Sequence, residues 1–300
     1  MGAQRVTFEI FFQTILSSLL LASVLALSSF AIVFIFRTST TTNFAQGLLS
    51  VFGAFVTAYL LDLRGAHILV ALLAGMATSF IIGLLIDVVI FRRAKRIFPI
   101  GKQMITMGIL MMLLNLIPVI FGTGTYSIST LLPGNTTFTM FGYEYVITNH
   151  ALLSTIITTV ILTVIFIALK YTKWGLGVRA TASNETVAAM MGVNTRFITA
   201  ATWSLAGGLG ALAAVLYGST VNFSSGIMTQ VQINAFLANV FGGFGTFYGP
   251  VVGAFIINIG GNLIGYLWSA WREVLVYAFV LVFILIKPYG MFGKKVVKKV

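Results

Sequence analysis

Residues 197–271 read FITAATWSLAGGLGALAAVLYGSTVNFSSGIMTQVQINAFLANVFGGFGTFYGPVVGAFIINIGGNLIGYLWSAW, 75 consecutive positions without a formal charge. A helix needs about 20 apolar residues to cross a hydrocarbon core about 30 Å thick, so this stretch has room for three crossings. Backbone groups in lipid must be paired internally, which leaves helices or closed barrels. Continuous apolar runs, unlike short alternating segments, select helices. The same signature recurs upstream: no Asp, Glu, Lys or Arg occurs at 10–36, 38–61, 65–86 or 145–169. Of the 300 residues, 59% are hydrophobic and 8% charged, whereas soluble domains carry about 25% charged residues. Such a chain cannot cover a water-facing surface.

The expected fold is therefore all-α: one transmembrane domain over 1–300, a polytopic helical bundle with about eight or nine spans. They fall near 10–36, 44–61, 66–90, 103–122, 147–169, 197–219, 231–246, 248–268 and 273–287. The first is too long for a signal-peptide core and is expected to be retained. The second and seventh are short, polar-tinged and flanked by Gly or Asn, which predicts broken or re-entrant segments. Their polar interruptions, around Asn43–Gly47 and Asn239–Gly249, fall one in each half, a pairing that hints at inverted symmetry around a pathway.

The net charge of +12 would suggest nucleic acid in a soluble protein; here no nucleic-acid partner is expected. The basic residues cluster in short loops, where they set orientation. Arg92, Arg93, Lys95, Arg96 and Lys102 crowd one loop, and Lys170, Lys173, Arg179 and Arg196 a second. Lys287, Lys294, Lys295, Lys298 and Lys299 crowd the tail. These three are expected on the cytoplasmic side, C-terminus included, and the poorly charged 122–147 and 221–230 outside. Nine spans place Met1 outside, whereas a broken second span places it inside; Arg5 alone does not decide. The Gly/Ser/Thr-rich segment 123–146, with β-prone aromatics, is expected to be an external loop turning at Pro133–Gly134.

The loop 170–197 is longer than a connector requires. Ser183 or Asn184 can cap a helix there, with Glu185 in the first turn, where the helix dipole favours an acid. Val187, Ala188, Met190 and Met191 supply an apolar face, and Gly192 is a natural terminator. A short amphipathic helix over about 184–191 follows, held off the membrane by a Gly-rich approach at Gly175 and Gly177. Two roles fit it: docking in a partner's groove, or lying in the membrane interface.

Four stretches carry a family resemblance. GLGVRATASNETVAAMMGVNT (175–195), followed by WSLAGGLGALAAVLYG (203–218), resembles the permease subunits of ABC importers for branched-chain amino acids. Asn43-Phe44-Ala45-Gln46-Gly47 resembles that family's early N-F-A-H-G signature. Phe241–Pro250 resembles its late G-G-x-G-x-x-x-G-[PA] signature, and Lys287–Gly293 its closing P-x-G-[IL]-x-G. The resemblance implies that the loop helix couples to an ATPase, through Gly177, Arg179, Asn184, Glu185, Ala188, Met191 and Gly192. It implies a second permease subunit (a related chain), two cytoplasmic ATPase subunits, an extracytoplasmic solute-binding protein and a place in a bacterial plasma (inner) membrane. ATP and magnesium then belong to the ATPase subunits, with no cofactor and no catalysis on this chain. One departure stands out: Gln46 replaces the family's histidine, and glutamine hydrogen-bonds but does not titrate near neutral pH.

The candidate pathway residues are Asn43, Gln46, Gly47, Asn239, Gly242, Gly243 and Gly245. Glycines expose backbone polar groups, tolerated at membrane depth only inside protein or along a cavity; Gly207, Gly208 and Gly210 are expected to serve helix packing instead. A low-charge pathway suits a zwitterion with an apolar side chain; urea, amides or other amino acids are the alternative cargo. Asn115 is expected in a helix–helix hydrogen bond. Asp62 with Arg64 and Arg272 with Glu273 are expected to anchor or pair, as is Asp87 with Arg92. His67 and His150 lack metal-ligand spacing. An ion-coupled transporter would need intramembrane acids or histidines, absent from 197–271. An intramembrane enzyme would need an H-E-x-x-H pair, a cysteine or a buried acid pair; the chain has no cysteine.

Overall fold

The structure, a computed structural model, describes residues 8–94, 97–124, 126–140 and 142–293. Arg5, Lys95, Arg96, Lys294, Lys295, Lys298 and Lys299 lie outside the described residues. The helices are α1 (Phe8–Ser39), α2 (Gln46–Arg64), α3 (Ile68–Leu85), α4 (Pro99–Phe121), α5 (Asn149–Tyr171), α6 (Lys173–Ser183), α7 (Glu185–Met190), α8 (Thr195–Gly218), α9 (Met228–Gly242), α10 (Gly249–Leu267) and α11 (Arg272–Ile286). A π-helical turn, Ile86–Phe91, continues α3. Seven of these helical stretches are long and apolar enough to cross a membrane, counting α3 with its π turn. The apolar stretch Gln46–Asp62 of α2 is shorter, and α9 spans 15 residues. This is a multi-pass membrane protein built as a helical bundle.

The bundle has two long helices at its centre. Residues 22–35 of α1 and nearly all of α8 are buried, and α2, α3, α9 and α10 pack around them. Small residues make that possible. A Cβ on Gly207 of α8 would lie 2.2 Å from the Ser79 carbonyl oxygen of α3, so backbone meets backbone there, as membrane helix interfaces favour. The outer helices α4, α5 and α11 leave long apolar faces uncovered, among them Met104, Met111, Val164 and Leu285.

The loops separate by end. At one end, Ser39, the π turn, Lys102 and α7 border a single cavity; this is the basic end. At the other, the Tyr126 N–H donates to the Phe223 carbonyl (3.4 Å), and Gln13 exchanges hydrogen bonds with the Val146 backbone at 2.8 and 3.2 Å. Segment 123–146 is more than a loop. Asn135–Met140 and Tyr143–Thr148 pair antiparallel, Asn135 opposite Thr148 and Met140 opposite Tyr143. Its β-branched and aromatic residues favour that pairing, and this hairpin is the one sheet among the described residues of an otherwise helical fold.

The long loop also differs from expectation. It holds two helices, α6 and α7, where one was expected, each begun by a side-chain cap. Thr172 accepts from Gly175 N–H at 3.0 Å and Asn184 from Val187 N–H at 3.0 Å. Asn194 then caps α8 through Phe197 N–H at 3.1 Å. Gly175 and Gly177, expected as an approach to the loop helix, are buried positions of α6 itself. A Cβ at Gly175 would lie 2.3 Å from the Ala168 carbonyl oxygen of α5.

Candidate functional site

α2 begins inside the bundle. After Ser39 the chain runs through 40–45 in non-helical form and resumes helix at Gln46. The Gln46 Nε2 donates to the carbonyl of Ala206 at 2.9 Å, and Ala206 stands near the middle of α8. The expected broken second span is therefore a helix that starts part-way through the bundle. Asn43 organises that start. Its Oδ1 accepts from Ala45 N–H (3.0 Å) and its Nδ2 donates to Gln46 Oε1 (3.0 Å). Both side chains are almost wholly buried. Gln46 thus spends its Nε2 on holding α2 to α8 and its Oε1 on Asn43.

Gly47 faces a residue that the sequence reading passed over. Gln232, on the second turn of α9, accepts from the Gly47 N–H at 2.6 Å and donates to the Phe44 carbonyl at 2.5 Å. A Cβ on Gly47 would lie 2.3 Å from Gln232 Oε1, so a side chain here would push the amide aside. This junction borders a cavity of about 380 Å³ between α2, α4 and α9. Leu48, Leu110, Leu114, Ile233 and Phe236 form its apolar wall, Ser225, Thr229 and Gln232 its polar groups, and no lining residue is charged. The signal for Gln232 was available: a glutamine inside a chargeless span.

Asn239, Gly242, Gly243 and Gly245 are elsewhere. Asn239 is buried and donates to the Ala235 carbonyl of its own helix at 2.7 Å. Gly242 abuts the backbone of Gly249, where a Cβ would meet the carbonyl at 2.1 Å. Gly243 ends α9 at φ +96° and lies against the closing segment, whose Met291 and Phe292 N–H groups donate to the Phe241 and Gly242 carbonyls at 2.8 and 3.2 Å. The late glycine signature and the closing signature are therefore two halves of one joint. Gly243 and Gly245 border an open groove of about 260 Å³ beside it, and the Gly245 carbonyl accepts from Arg37 Nη1. The structure does not bring this set to the Gln232 cavity.

The loop-helix residues form a second assembly, at the basic end. Ala188 is buried, while Met190 and Met191 are each 80% exposed and Val187 is also exposed. Gly192 terminates α7 at φ +86°. Gly177 packs against Ile198 of α8. Arg179 acts as a staple: its Nη1 donates to the carbonyls of Leu169 and of Lys170 (the latter at 3.0 Å), capping the C-terminal end of α5. Glu185 and Thr186 border a polar chamber of about 330 Å³ shared with Ser39, Asp87, Lys102 and Thr199. The π turn puts Asp87 there, buried, 3.8 Å from Arg92 Nε and accepting from Thr199 Oγ1 at 3.3 Å. Such turns recur at functional positions in helices.

Several polar residues take plainer roles. Asn115 donates to the Met111 carbonyl of its own helix at 2.7 Å instead of to a neighbouring one. Asp62–Arg64 and Arg272–Glu273 form no ion pair; among the described residues that is confined to Asp87–Arg92. Glu273 accepts from Gln230 Nε2 at 3.2 Å. His67 caps α3 and His150 meets the Leu216 carbonyl and Ser219. No group of His, Asp and Glu fit to hold a metal occurs among the described residues.

Residues 14–285 match the family described as branched-chain amino acid transport system / permease component. The chain belongs to this family. It is also similar to the high-affinity branched-chain amino acid transport system permease protein BraD of Pseudomonas aeruginosa, 26% identical over 97% of this chain and 98% of that one. The Escherichia coli K12 permease protein LivH is 26% identical (98% and 99% covered). The probable LivH of Methanocaldococcus jannaschii is 24% identical (92% and 90%). Among solved structures, PsaBC from Streptococcus pneumoniae in complex with Fab has a TM-score of 0.49 and 15% identity, over 94% of this chain and 92% of that one. This permease thus belongs to a transport family, not a catalytic one.

Proposed function

We propose that this permease is the transport subunit of an ATP-driven importer, pairing with a second permease to pass branched-chain or other hydrophobic amino acids inward across a plasma membrane. The observation that carries the reading is the cavity at the start of α2. A helix that starts inside the bundle brings the Phe44 carbonyl and the Gly47 N–H, both held by the Gln232 amide, to the edge of an uncharged, largely apolar space, an arrangement that suits a zwitterion with an apolar side chain. A solute-binding protein delivers the amino acid at the hairpin end, which faces outside. The basic end, and with it the C-terminus, faces the cytoplasm, as the positive-inside rule requires. Two ATPase subunits dock on α7 there, burying Val187, Met190 and Met191. Binding and hydrolysis of ATP in those subunits move α7, and Arg179 and the Asp87 chamber carry the movement to α5, α3 and α8.

The test replaces Met190 and Met191 together by Asp in the complete complex. Both side chains are exposed, so the permease should fold and insert as before. Co-purification of the ATPase subunits and ATP-driven leucine uptake should both be lost. Retention of both would refute the docking role, and uptake that survives without any ATPase subunit would refute ATP drive itself.

A further inference from the structure

We infer that the side-chain amide of Gln232 holds the place of a travelling amino acid's own backbone, making Phe44, Gly47, Gln232 and Ser28 a recognition site for the α-ammonium and α-carboxylate groups; this rests on the transport reading above. An amide offers one oxygen that accepts and one nitrogen that donates. Gln232 places the oxygen on the Gly47 N–H (2.6 Å) and the nitrogen on the Phe44 carbonyl (2.5 Å). A zwitterionic amino acid has the same polarity in the same order, a carboxylate that only accepts and an ammonium that only donates. When Gln232 turns aside, the Gly47 N–H donates to the carboxylate and the Phe44 carbonyl accepts from the ammonium. The positive end of the α2 dipole lies on the carboxylate side. The side chain of the cargo then rests on Leu48, Leu110, Leu114, Ile233 and Phe236, and with no charge in the lining nothing there compensates a charged one.

A second feature points to a ligand independently. Behind Gln232, Ser28, Ile32, Gln46, Ser50 and Met228 enclose a crevice with no room for a water-sized sphere. Ser28 is 4% exposed and its Oγ has no hydrogen-bond partner. A buried hydroxyl left unpaired costs free energy unless some state supplies a partner. Gln232 borders both spaces. Its displacement joins the outer cavity to the crevice and brings the Ser28 hydroxyl to the cargo.

The experiment uses the whole reconstituted complex, with its binding protein and ATPase subunits, in proteoliposomes with radiolabelled leucine. If the wild type moves no leucine, the transport reading fails, and the inference falls with it. If it does, Gln232→Glu and Gly47→Ala are the informative variants. The first places a fixed carboxylate on the Gly47 N–H, and the second fills the space the amide occupies. Each should lower maximal uptake by about tenfold, the effect of one lost hydrogen bond in a dry site, while docking of the loaded binding protein is unchanged. Wild-type uptake in both variants overturns the inference and leaves the transport reading intact. Because the chain has no cysteine, Thr229→Cys on the cavity wall decides the case even where those variants fail to assemble. Under ATP turnover, leucine-loaded binding protein should slow its labelling by a thiol reagent, and empty binding protein should not. Equal labelling in the two conditions overturns the inference.

Discussion

Replacing Gly243 by Ala tests the joint between α9 and the closing segment. Gly243 has φ +96° and ψ +120°, a region open to glycine and strained for any L side chain, at about 1–3 kcal/mol. The added Cβ would stand 2.7 Å from the Tyr289 carbonyl oxygen and 3.1 Å from the Gly293 nitrogen. The closing segment has to yield, and with it go the bonds from Met291 and Phe292 to the end of α9, each contributing about 0.5–1.5 kcal/mol. The combined cost is about 2–6 kcal/mol. At roughly 2–4 °C per kcal/mol for chains of this size class, the purified permease should melt on the order of 10 °C lower. Thermal loss of the monodisperse size-exclusion peak in detergent measures this. Gly260→Ala in α10 is the control, because nothing lies within 4 Å of its added Cβ and alanine favours helix. A Gly243 variant that melts with the wild type, or a Gly260 variant that falls as far, would refute the joint.

Two further perturbations address the basic end. Asp87→Asn should lower the melting point by several degrees, for a cost of about 1–3 kcal/mol, since the carboxylate is buried but its partner Arg92 is partly solvated and the Coulombic part is screened; an unchanged melt would leave Asp87 with a packing role alone. Arg179→Ala should free α6 from the end of α5, a loss of about 1–3 kcal/mol for charge-assisted bonds to two carbonyls. Faster cleavage by a lysine-specific protease at Lys170 and Lys173, with the transmembrane core intact, would register it, and wild-type cleavage kinetics would refute the staple.

The crossings were legible because the lipid requirement is coarse: the long charge gaps exceed the bilayer thickness, and no packing detail is needed to read them. The irregular start of the second span was legible too, as polar residues inside an apolar run, whereas the seventh, expected to be broken or re-entrant, is the uninterrupted helix α9 that stops at Gly243. What escaped was whatever depends on a distant neighbour. Gly175 and Gly177 read locally as a Gly-rich approach to the loop helix, yet Gly175 is small because the carbonyls of α5 lie against it. Gly242 and Gly243 read as backbone exposed to a pathway, yet Gly242 is crowded by Gly249 and Gly243 by Tyr289 and Gly293, some fifty residues later. Local patterning does not distinguish a glycine that opens a cavity from one that closes a gap.

The same limit explains Gln232. Asn43 and Gln46 announced themselves through their place in a broken helix, but they turn out to build the break, with their polar groups committed to Ala45, Ala206 and each other. Gln232 carried an equal signal, a polar side chain in a chargeless span, and its meaning lies in a pairing with Gly47 across 185 positions. That division has a physical reason. On the proposal above, a residue that yields its place to cargo must release its resting partners, so it belongs on an element other than the one it completes. Gln232 on α9 can leave the start of α2 without unfolding it, because Asn43 and Gln46 hold that start from within. A glutamine, which stays neutral at every physiological pH, performs that holding without coupling the pathway to the proton concentration on either side.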